Sequence, residues 1–294
     1  MNPFKKNITS IYQNRGKAWL ADLQKKVEQI AALWELDNLH PFANLSYNYV
    51  LEGYQKGSPI VLKISLDELS LDKEAKALTA CADYGAVKVL ARTKEAVLLQ
   101  RAVPGNSLKA QFPKGHPNAI KIACDVANRL HQAPLPKDNH FPHIKDWLTT
   151  LDKEWNIPRL HLEKARTLKN LLLKTQSTSV LLHGDLHQDN ILSNDGNWLI
   201  IDPKGVIGSP INEMWAFVED PKNDLIFISK YFDFNHDNVV QWYYVHLILA
   251  AFWQVEDGLD PTLFLNLAES AAAWCFLIIR CTSTEAGSNP FSMQ

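Results

Sequence analysis

The chain has 294 residues, of which 46% are hydrophobic and 21% charged, and its formal net charge is −2 at pH 7. This length is enough to bury a substantial core and to form two lobes or two domains. The near-neutral charge lacks the basic excess typical of nucleic-acid binding, so we expect no nucleic-acid partner. The polar N-terminus has no apolar signal core, and the most apolar stretch, 271–279, is too short to span a bilayer, which argues against a membrane partner.

The cysteines point to a reducing compartment. Cys81, Cys124, Cys275 and Cys281 show neither Cys-x-x-Cys pairing nor the spacing of metal ligands. Four reduced and mostly packed thiols are therefore predicted. We expect a cytoplasmic protein that is a monomer or a weak dimer.

The first hundred residues predict a helix followed by a mainly β region. Apolar residues recur at helical spacing from Trp19 to Trp34, and Gly57 suits a tight hairpin turn between two strand-like runs. In chain order, the predicted elements are a helix over 16–36, strands over 47–54 and 59–65, a helix over 66–81, and strands over 86–90 and 95–101.

The remainder predicts helices. Val103-Pro104-Gly105-Asn106 breaks the strand pattern, and the apolar spacing after it is helical. The predicted helices cover 117–132, 144–155, 159–176, 236–256 and 261–281. Strands first and helices after them indicate an α+β protein of two lobes, an antiparallel-sheet N-lobe over 1–102 and a mostly helical C-lobe over 103–294.

One short stretch has the spacing of a phosphoryl-transfer site. Asp185 follows His183-Gly184, Asn190 comes five positions later, and Asp202 ends an apolar run. In such sites one carboxylate accepts the proton of the acceptor hydroxyl, while Asn and Asp oxygens hold the Mg²⁺ that binds the nucleotide phosphates. His-Gly-Asp alone is a common turn, but the fixed offsets of Asn190 and Asp202 favour Asp185 as catalytic base and the other two as magnesium ligands.

A turn signal lies inside this stretch. Ser193-Asn-Asp-Gly-Asn197 separates two apolar segments, so 191–193 and 198–201 are predicted to form a β-hairpin. A hairpin would bring Asn190 and Asp202 to the same end, close enough to share a metal ion.

The N-lobe carries candidates for nucleotide binding. Lys63 lies inside the apolar strand Ile60-Val-Leu-Lys-Ile64, where an unpaired charge would be costly, and Glu74 lies on the following helix. We predict that these two form a phosphate-binding ion pair, although a surface lysine and an exposed glutamate are the alternative. Because the chain has no Gly-x-Gly-x-x-Gly, the loop over the phosphates is placed at 44–48, where Ser46 either donates to phosphate or belongs to a plain turn.

Together these residues resemble those of the aminoglycoside phosphotransferases, a family of protein-kinase-like small-molecule kinases. The chain is most similar to the streptomycin 6-kinase branch, also described as aminoglycoside/hydroxyurea resistance kinases. The segments that carry the resemblance are 183–192 and 199–208, with Asp202-Pro203-Lys204 in place of Asp-Phe-Gly.

The resemblance implies a bilobal kinase-like fold with ATP and Mg²⁺ as cofactors and a small-molecule hydroxyl as acceptor. Gln100 and Ala102 then fall at the adenine-binding hinge, and His183 braces the catalytic loop. Because proline restricts the residue before it, Pro203 predicts an extended conformation for Asp202. Lys204 either assists phosphate binding or bridges to a nearby acid.

The charge of the C-lobe suggests a cationic acceptor. Ten acidic residues and three lysines lie from Asp202 to Asp260, a local balance of −7 that would attract a polycation such as an aminoglycoside. The candidate acceptor-binding acids are Glu213, Glu219, Asp220 and Glu256. A solvated acidic surface is the alternative for any one of them.

The predicted activity is therefore ATP-dependent O-phosphorylation of a cationic, streptomycin-like small molecule, as in antibiotic resistance. A housekeeping kinase of an amino alcohol or sugar would use the same chemistry. A catalytically inactive nucleotide-binding protein is disfavoured by the presence of all five core polar residues. A protein kinase is disfavoured because no Ala-Pro-Glu follows Asp202.

Overall fold

A computed structural model describes residues 3–137, 141–175 and 178–272 of the chain. The chain divides into two compact units. Unit 1 comprises Met1–Phe112, Asp125–Phe141 and His183–Gly205, and unit 2 comprises Pro113–Cys124, Pro142–Leu182 and the chain from Val206 onward. The predicted lobes, 1–102 and 103–294, are continuous in sequence. The compact units are not continuous in sequence, because the segments Asp125–Phe141 and His183–Gly205 group with the N-terminal part.

The described residues include the following eight α-helices and ten strands. The helices are α1 Pro3–Trp34, α2 Glu68–Ala80, α3 Leu108–Gln111, α4 Pro117–Leu130, α5 Ile144–Leu148, α6 Arg159–Leu172, α7 Pro221–Phe232 and α8 His236–Glu256. The strands are β1 Leu36–Pro41, β2 Tyr49–Gln55, β3 Ser58–Ile64, β4 Val89–Arg92, β5 Ala96–Gln100, β6 Pro104–Ser107, β7 Val180–Leu182, β8 Ile191–Asn194, β9 Asn197–Ile200 and β10 Val206–Gly208. Residues 262–272 are also helical. The predicted α+β class is confirmed.

Unit 1 is built on a five-stranded antiparallel sheet in the order β1-β2-β3-β5-β4. Alternate residues of β3 point to one face, where they are buried with the apolar side of α1. This cluster contains Ile60, Leu62 and Ile64 of β3 with Trp19, Leu23, Val27 and Ile30 of α1. Lys63 occupies the alternate position and so belongs to the other face.

Two hairpins of unit 1 follow their turn chemistry. Lys56 and Gly57 link β2 to β3 with φ values of 50° and 80°, and Asp195 and Gly196 link β8 to β9 with φ values of 45° and 77°. Positive φ at both central residues is the geometry of the turns that match strand twist, and it favours Gly and Asp. The predicted hairpin at the end of the motif is confirmed, with Ile191 opposite Ile200.

Unit 2 is mainly helical. Helix α8 is apolar on all sides, and nearly every residue from Val239 to Phe252 is buried, which is typical of a central helix. An aromatic pair also packs against this helix: the ring of Trp155 lies edge-on to that of Phe252, with 5.0 Å between the ring centroids. Strands β7 and β10 pair antiparallel.

Several predicted element bounds were wrong. Strand β1 was not predicted, and neither was the first part of α1, from Pro3 to a kink at Gln13 with φ 50° and ψ −123°. The part of α1 after this kink corresponds to the helix predicted from residue 16. In place of the helix predicted over 144–155, α5 ends at Leu148 and a 3₁₀ helix follows it to Asp152. Helix α8 matches the predicted 236–256. The helix predicted to residue 281 is described only to 272.

Two cysteines lie within the described residues, and Cys81 and Cys124 are both buried thiols there. Cys275 and Cys281 lie outside the described residues. No helix among the described residues has the length and apolar character needed to cross a membrane.

Candidate active site

Lys63 is the centre of a buried ion-pair network in unit 1. Its side chain is 5% exposed, and Nζ donates to Oε1 and Oε2 of Glu74 at 2.8 and 2.7 Å and to Oδ1 of Asp202 at 3.0 Å. A buried ammonium needs this many partners, because removing it from water is costly unless its hydrogen bonds are replaced. The structure thus brings together three residues that the sequence placed in two separate motifs.

Burial and charge act against each other in this network. Burial alone would lower the pKa of Lys63, but the carboxylates of Asp202 and Glu74 raise it above its usual value, so the amine stays protonated. Burial raises the pKa of Glu74 to about 6, with Lys63 opposing the rise and Asp202 adding to it. For Asp202 burial is again the largest influence, but Lys63 outweighs it and lowers the pKa below its ordinary value.

The loop that carries Asp185 is braced by a histidine, as predicted. His183 Nε2 lies 2.8 Å from the carbonyl oxygen of Ile201, and the backbone N–H of Asp185 donates to His183 Nδ1 at 3.2 Å. The ring therefore links the backbone of Asp185 to the residue before Asp202. The Asp185 side chain is 37% exposed, open to an acceptor hydroxyl.

Asn190 and Asp202 meet at the end of the hairpin. The backbone N–H of Ile201 donates to the carbonyl of Asn190 at 3.1 Å, which places the two side chains on adjacent strand ends. Asn190 Nδ2 donates to the carbonyl of Asp185 at 2.9 Å, which fixes the orientation of the amide group that carries Oδ1, the predicted metal ligand. Lys63 donates to Oδ1 of Asp202, so Oδ2 is the oxygen of this carboxylate that the prediction assigns to the metal ion.

This donor set fits Mg²⁺. Both groups offer oxygen, the ligand that magnesium prefers, and magnesium at nucleotide sites needs only one or two protein ligands besides water and phosphates. No cluster of three or more His, Cys, Asp or Glu side chains that could hold a metal ion occurs in the described part of the chain. An ion held by Asn190 and Asp202 would thus depend on the nucleotide for further ligands.

The backbone of Asp202 differs from the prediction. We expected an extended conformation because of Pro203, but Asp202 has φ +58°, in the left-handed region. Asp is one of the few residues with a side chain that tolerates this region. The ion pair with Lys63 and the hydrogen bond from Ile201 to Asn190 hold the residue on both sides, and they outweigh the local preference.

Three ionisable side chains near Asp185, those of His187, Lys204 and Asp189, were not among the predicted site residues. His187 Nε2 lies 4.0 Å from Oδ1 of Asp185, and Lys204 Nζ lies 3.8 Å from Oδ2. Asp189 approaches His187 Nδ1 at 3.9 Å and binds Lys109 Nζ at 3.1 Å. Lys204 was noted in the sequence for its position after Asp202-Pro203. The signal for His187 is its place two residues after the predicted base.

The remaining nucleotide-binding candidates, Ser46, Gln100 and Ala102, lie in or beside strands of unit 1. Ser46 is exposed in the bend between β1 and β2, and its carbonyl accepts from Asn7 Nδ2 at 3.2 Å. Gln100 ends β5, and its side-chain oxygen accepts from the backbone N–H of Lys88 at 3.3 Å. Ala102 is buried just before β6. Their roles in nucleotide binding stay predictions.

The four candidate acceptor-binding acids lie in unit 2, in different environments. Glu213 is 1% exposed and acts electrostatically on the buried His246. Glu219 Oε2 accepts from the backbone N–H of Gly115 at 3.4 Å, and Asp220 Oδ2 accepts from Asn223 Nδ2 at 2.6 Å. Glu256 is exposed at the end of α8. Their role in acceptor binding also stays a prediction.

The chain is similar to a family of known proteins. A family model described as aminoglycoside/hydroxyurea antibiotic resistance kinase matches residues 36–258. Streptomycin 6-kinase of Streptomyces glaucescens is 24% identical over 290 residues, covering 88% of this chain and 92% of the relative. Streptomycin 3''-kinase of Klebsiella pneumoniae is 27% identical over 235 residues, covering 72% of this chain and 85% of the relative.

The fold has counterparts among solved structures. A thermostable mutant of aminoglycoside phosphotransferase APH(4)-Ia, in ternary complex with AMP-PNP and hygromycin B, matches with a TM-score of 0.65 at 14% sequence identity. The match covers 89% of this chain and 99% of that structure. It confirms the predicted protein-kinase-like α+β fold.

Proposed function

The chain belongs to the aminoglycoside/hydroxyurea antibiotic resistance kinase family, and from this premise we propose that it transfers the terminal phosphoryl group of ATP to a hydroxyl of a cationic, streptomycin-like aminoglycoside. The observation that carries the proposal is the convergence of Lys63, Glu74 and Asp202 with the loop that holds Asp185 and Asn190. These five residues supply the groups that phosphoryl transfer requires, within one compact unit.

Each group has a defined task in this reaction. Asp185 accepts the proton of the acceptor hydroxyl and orients its oxygen toward phosphorus. Lys63, fixed by Glu74, offers positive charge to the nucleotide phosphates. Asn190 and Asp202 would hold Mg²⁺, which when bound would neutralise charge on the same phosphates. Positioning and electrostatics are sufficient here, because phosphoryl transfer asks for little covalent chemistry from the protein.

Two observations favour a cationic acceptor. The relatives that span most of this chain are named as streptomycin kinases, and the solved structure described above holds hygromycin B with AMP-PNP. The local balance of −7 from Asp202 to Asp260 would concentrate a polycation near this segment.

An acceptor panel tests the proposal. The purified protein with ATP and Mg²⁺ is assayed for ADP release and for a phosphorylated product by mass spectrometry, with streptomycin, hygromycin B, an amino alcohol and a neutral polyol. We expect streptomycin to give the highest kcat/KM. A preference for the neutral polyol or the amino alcohol would instead indicate a metabolite kinase.

Ionic strength separates these outcomes further. Screening limits the reach of exposed charges to about 8 Å at physiological salt, so kcat/KM for streptomycin should fall as salt rises.

Glu219→Gln should raise KM for streptomycin more than KM for ATP. Glu28→Gln, which neutralises an exposed acid on α1, serves as the matched control. Equal KM values in both variants would remove Glu219 from the acceptor site.

A further inference from the structure

The backbone of Lys204 is hydrogen-bonded to the loop that carries Asp185. Its backbone N–H donates to the carbonyl of His183 at 2.8 Å, and the N–H of Gly205 donates to the same oxygen at 3.2 Å. Gly205 is required there, since its φ is +66° and a Cβ would lie 2.6 Å from the ring of Phe141. The backbone of Lys204 is therefore bound to the carbonyl of His183, the residue two positions before Asp185 in the braced loop.

The side chain itself is held much more loosely than that of Lys63. Lys204 is 58% exposed, and Nζ lies 3.8 Å from Oδ2 of Asp185, well beyond the roughly 2.7–2.9 Å of a charge-assisted hydrogen bond. Ion pairs between exposed partners of this kind contribute little to stability. Lys63, by contrast, is buried and makes three hydrogen bonds of 2.7 to 3.0 Å.

The surroundings of Lys204 are acidic. Asp185 and Asp202 both lie within the reach of its charge. Burial raises the pKa of Asp202, and the Lys63 ammonium lowers that pKa most. The Lys204 ammonium lowers the pKa of Asp202 further. A cation at this point faces the catalytic carboxylate and the metal-binding carboxylate at once. Phosphate oxygens that enter between these two groups would meet the ammonium first.

We propose that Lys204 is a catalytic residue that binds the phosphoryl group during its transfer. In this step the bond between the terminal phosphorus and its bridging oxygen breaks, the electron pair leaves with ADP, and a new bond forms from the acceptor oxygen to phosphorus. The acceptor proton passes to Asp185. The Lys204 ammonium stays protonated and moves from Asp185 Oδ2 to the non-bridging oxygens, where it neutralises the charge of the transition state.

The proposal rests on the phosphotransferase function but not on the identity of the acceptor. It also explains why a lysine stands beside the base without being fixed there. A hydrogen-bonded ion pair would hold the ammonium on Asp185, whereas a separation of 3.8 Å allows it to leave when phosphate arrives.

A lysine of equal exposure provides a matched control. Lys109 is 59% exposed and binds Asp189, in the same loop, at 3.1 Å. Lys204→Met should lower kcat by about 10²–10³, the loss typical of one electrostatic donor, with little change in KM for the acceptor. Lys204→Arg should recover much of the rate, and Lys109→Met should stay near wild type. Equal rates in the two Met variants would overturn the proposal.

A second measurement needs no acceptor. ADP with Mg²⁺ and aluminium fluoride mimics the transferring phosphoryl group, so Lys204→Met should weaken binding of that complex far more than binding of ADP alone. A parallel loss of both affinities would instead mean a structural role and would overturn the proposal. If the wild-type protein phosphorylates none of the acceptors, the proposed function fails, but the comparison of ADP with its aluminium fluoride complex still tests Lys204.

Discussion

Nζ of Lys63 and Oδ1 of Asp202 lie 3.0 Å apart although 139 positions separate the two residues in the chain. Lys63 comes from the middle of β3, and Asp202 follows β9. The ion pair joins the five-stranded sheet to the segment with the catalytic loop, and both belong to unit 1. The groups proposed for nucleotide binding and for proton transfer therefore belong to one compact unit.

Removing Lys63 should affect stability as well as activity. Lys63→Met leaves Glu74 buried without its counter-ion, and breaking a buried pair costs about 3–5 kcal/mol of unfolding free energy. The double variant Lys63→Met/Glu74→Leu should recover most of this loss, because the buried Glu74 carboxylate is removed together with its counter-ion, yet it should stay inactive. Urea unfolding and ADP release measure the two effects. Recovery of activity in the double variant would contradict the role of Lys63 in catalysis.

Asn190 should control the magnesium requirement. Asn190→Ala removes the amide oxygen, so we expect a higher Mg²⁺ concentration for half-maximal rate at saturating ATP. Asn197→Ala alters an exposed residue of the same hairpin and should leave the requirement unchanged. A Mg²⁺ titration of the two variants decides this, and identical half-saturation would exclude Asn190 as a ligand.

Glu74 should make stability depend on pH in an unusual direction. Burial raises its pKa in the folded protein from 4.5 to about 6, so between these values the folded state binds more protons than the unfolded state. Stability from this group is therefore fully present below about pH 4.5 and is lost as pH rises through about 6. Unfolding free energies of wild type and Glu74→Gln, measured from pH 4.5 to 7, should reveal this loss in the wild type only.

Local sequence patterns predicted the hairpin and the buried lysine, but they did not predict strand β1 or the backbone conformation of Asp202. The β8–β9 hairpin follows from its Asn-Asp-Gly turn, and Lys63 was evident as a charge inside an apolar strand. Strand β1 escaped prediction because its burial does not alternate. The left-handed φ of Asp202 could not be predicted from its neighbours, since Lys63 lies far away in the chain and helps to fix it.

The central claim is that Asp185 accepts the acceptor proton, and a matched pair of Asp→Asn variants tests it most directly. Asp195 is an exposed turn residue in the same segment, and Asn also tolerates its positive φ, so Asp195→Asn makes the same chemical change away from the site. We measure transfer of labelled phosphate from ATP to streptomycin together with the Kd for the nucleotide. The account predicts that Asp185→Asn lowers kcat by about 10²–10⁴ with an unchanged Kd, while Asp195→Asn behaves like wild type. Near wild-type transfer by Asp185→Asn would contradict it.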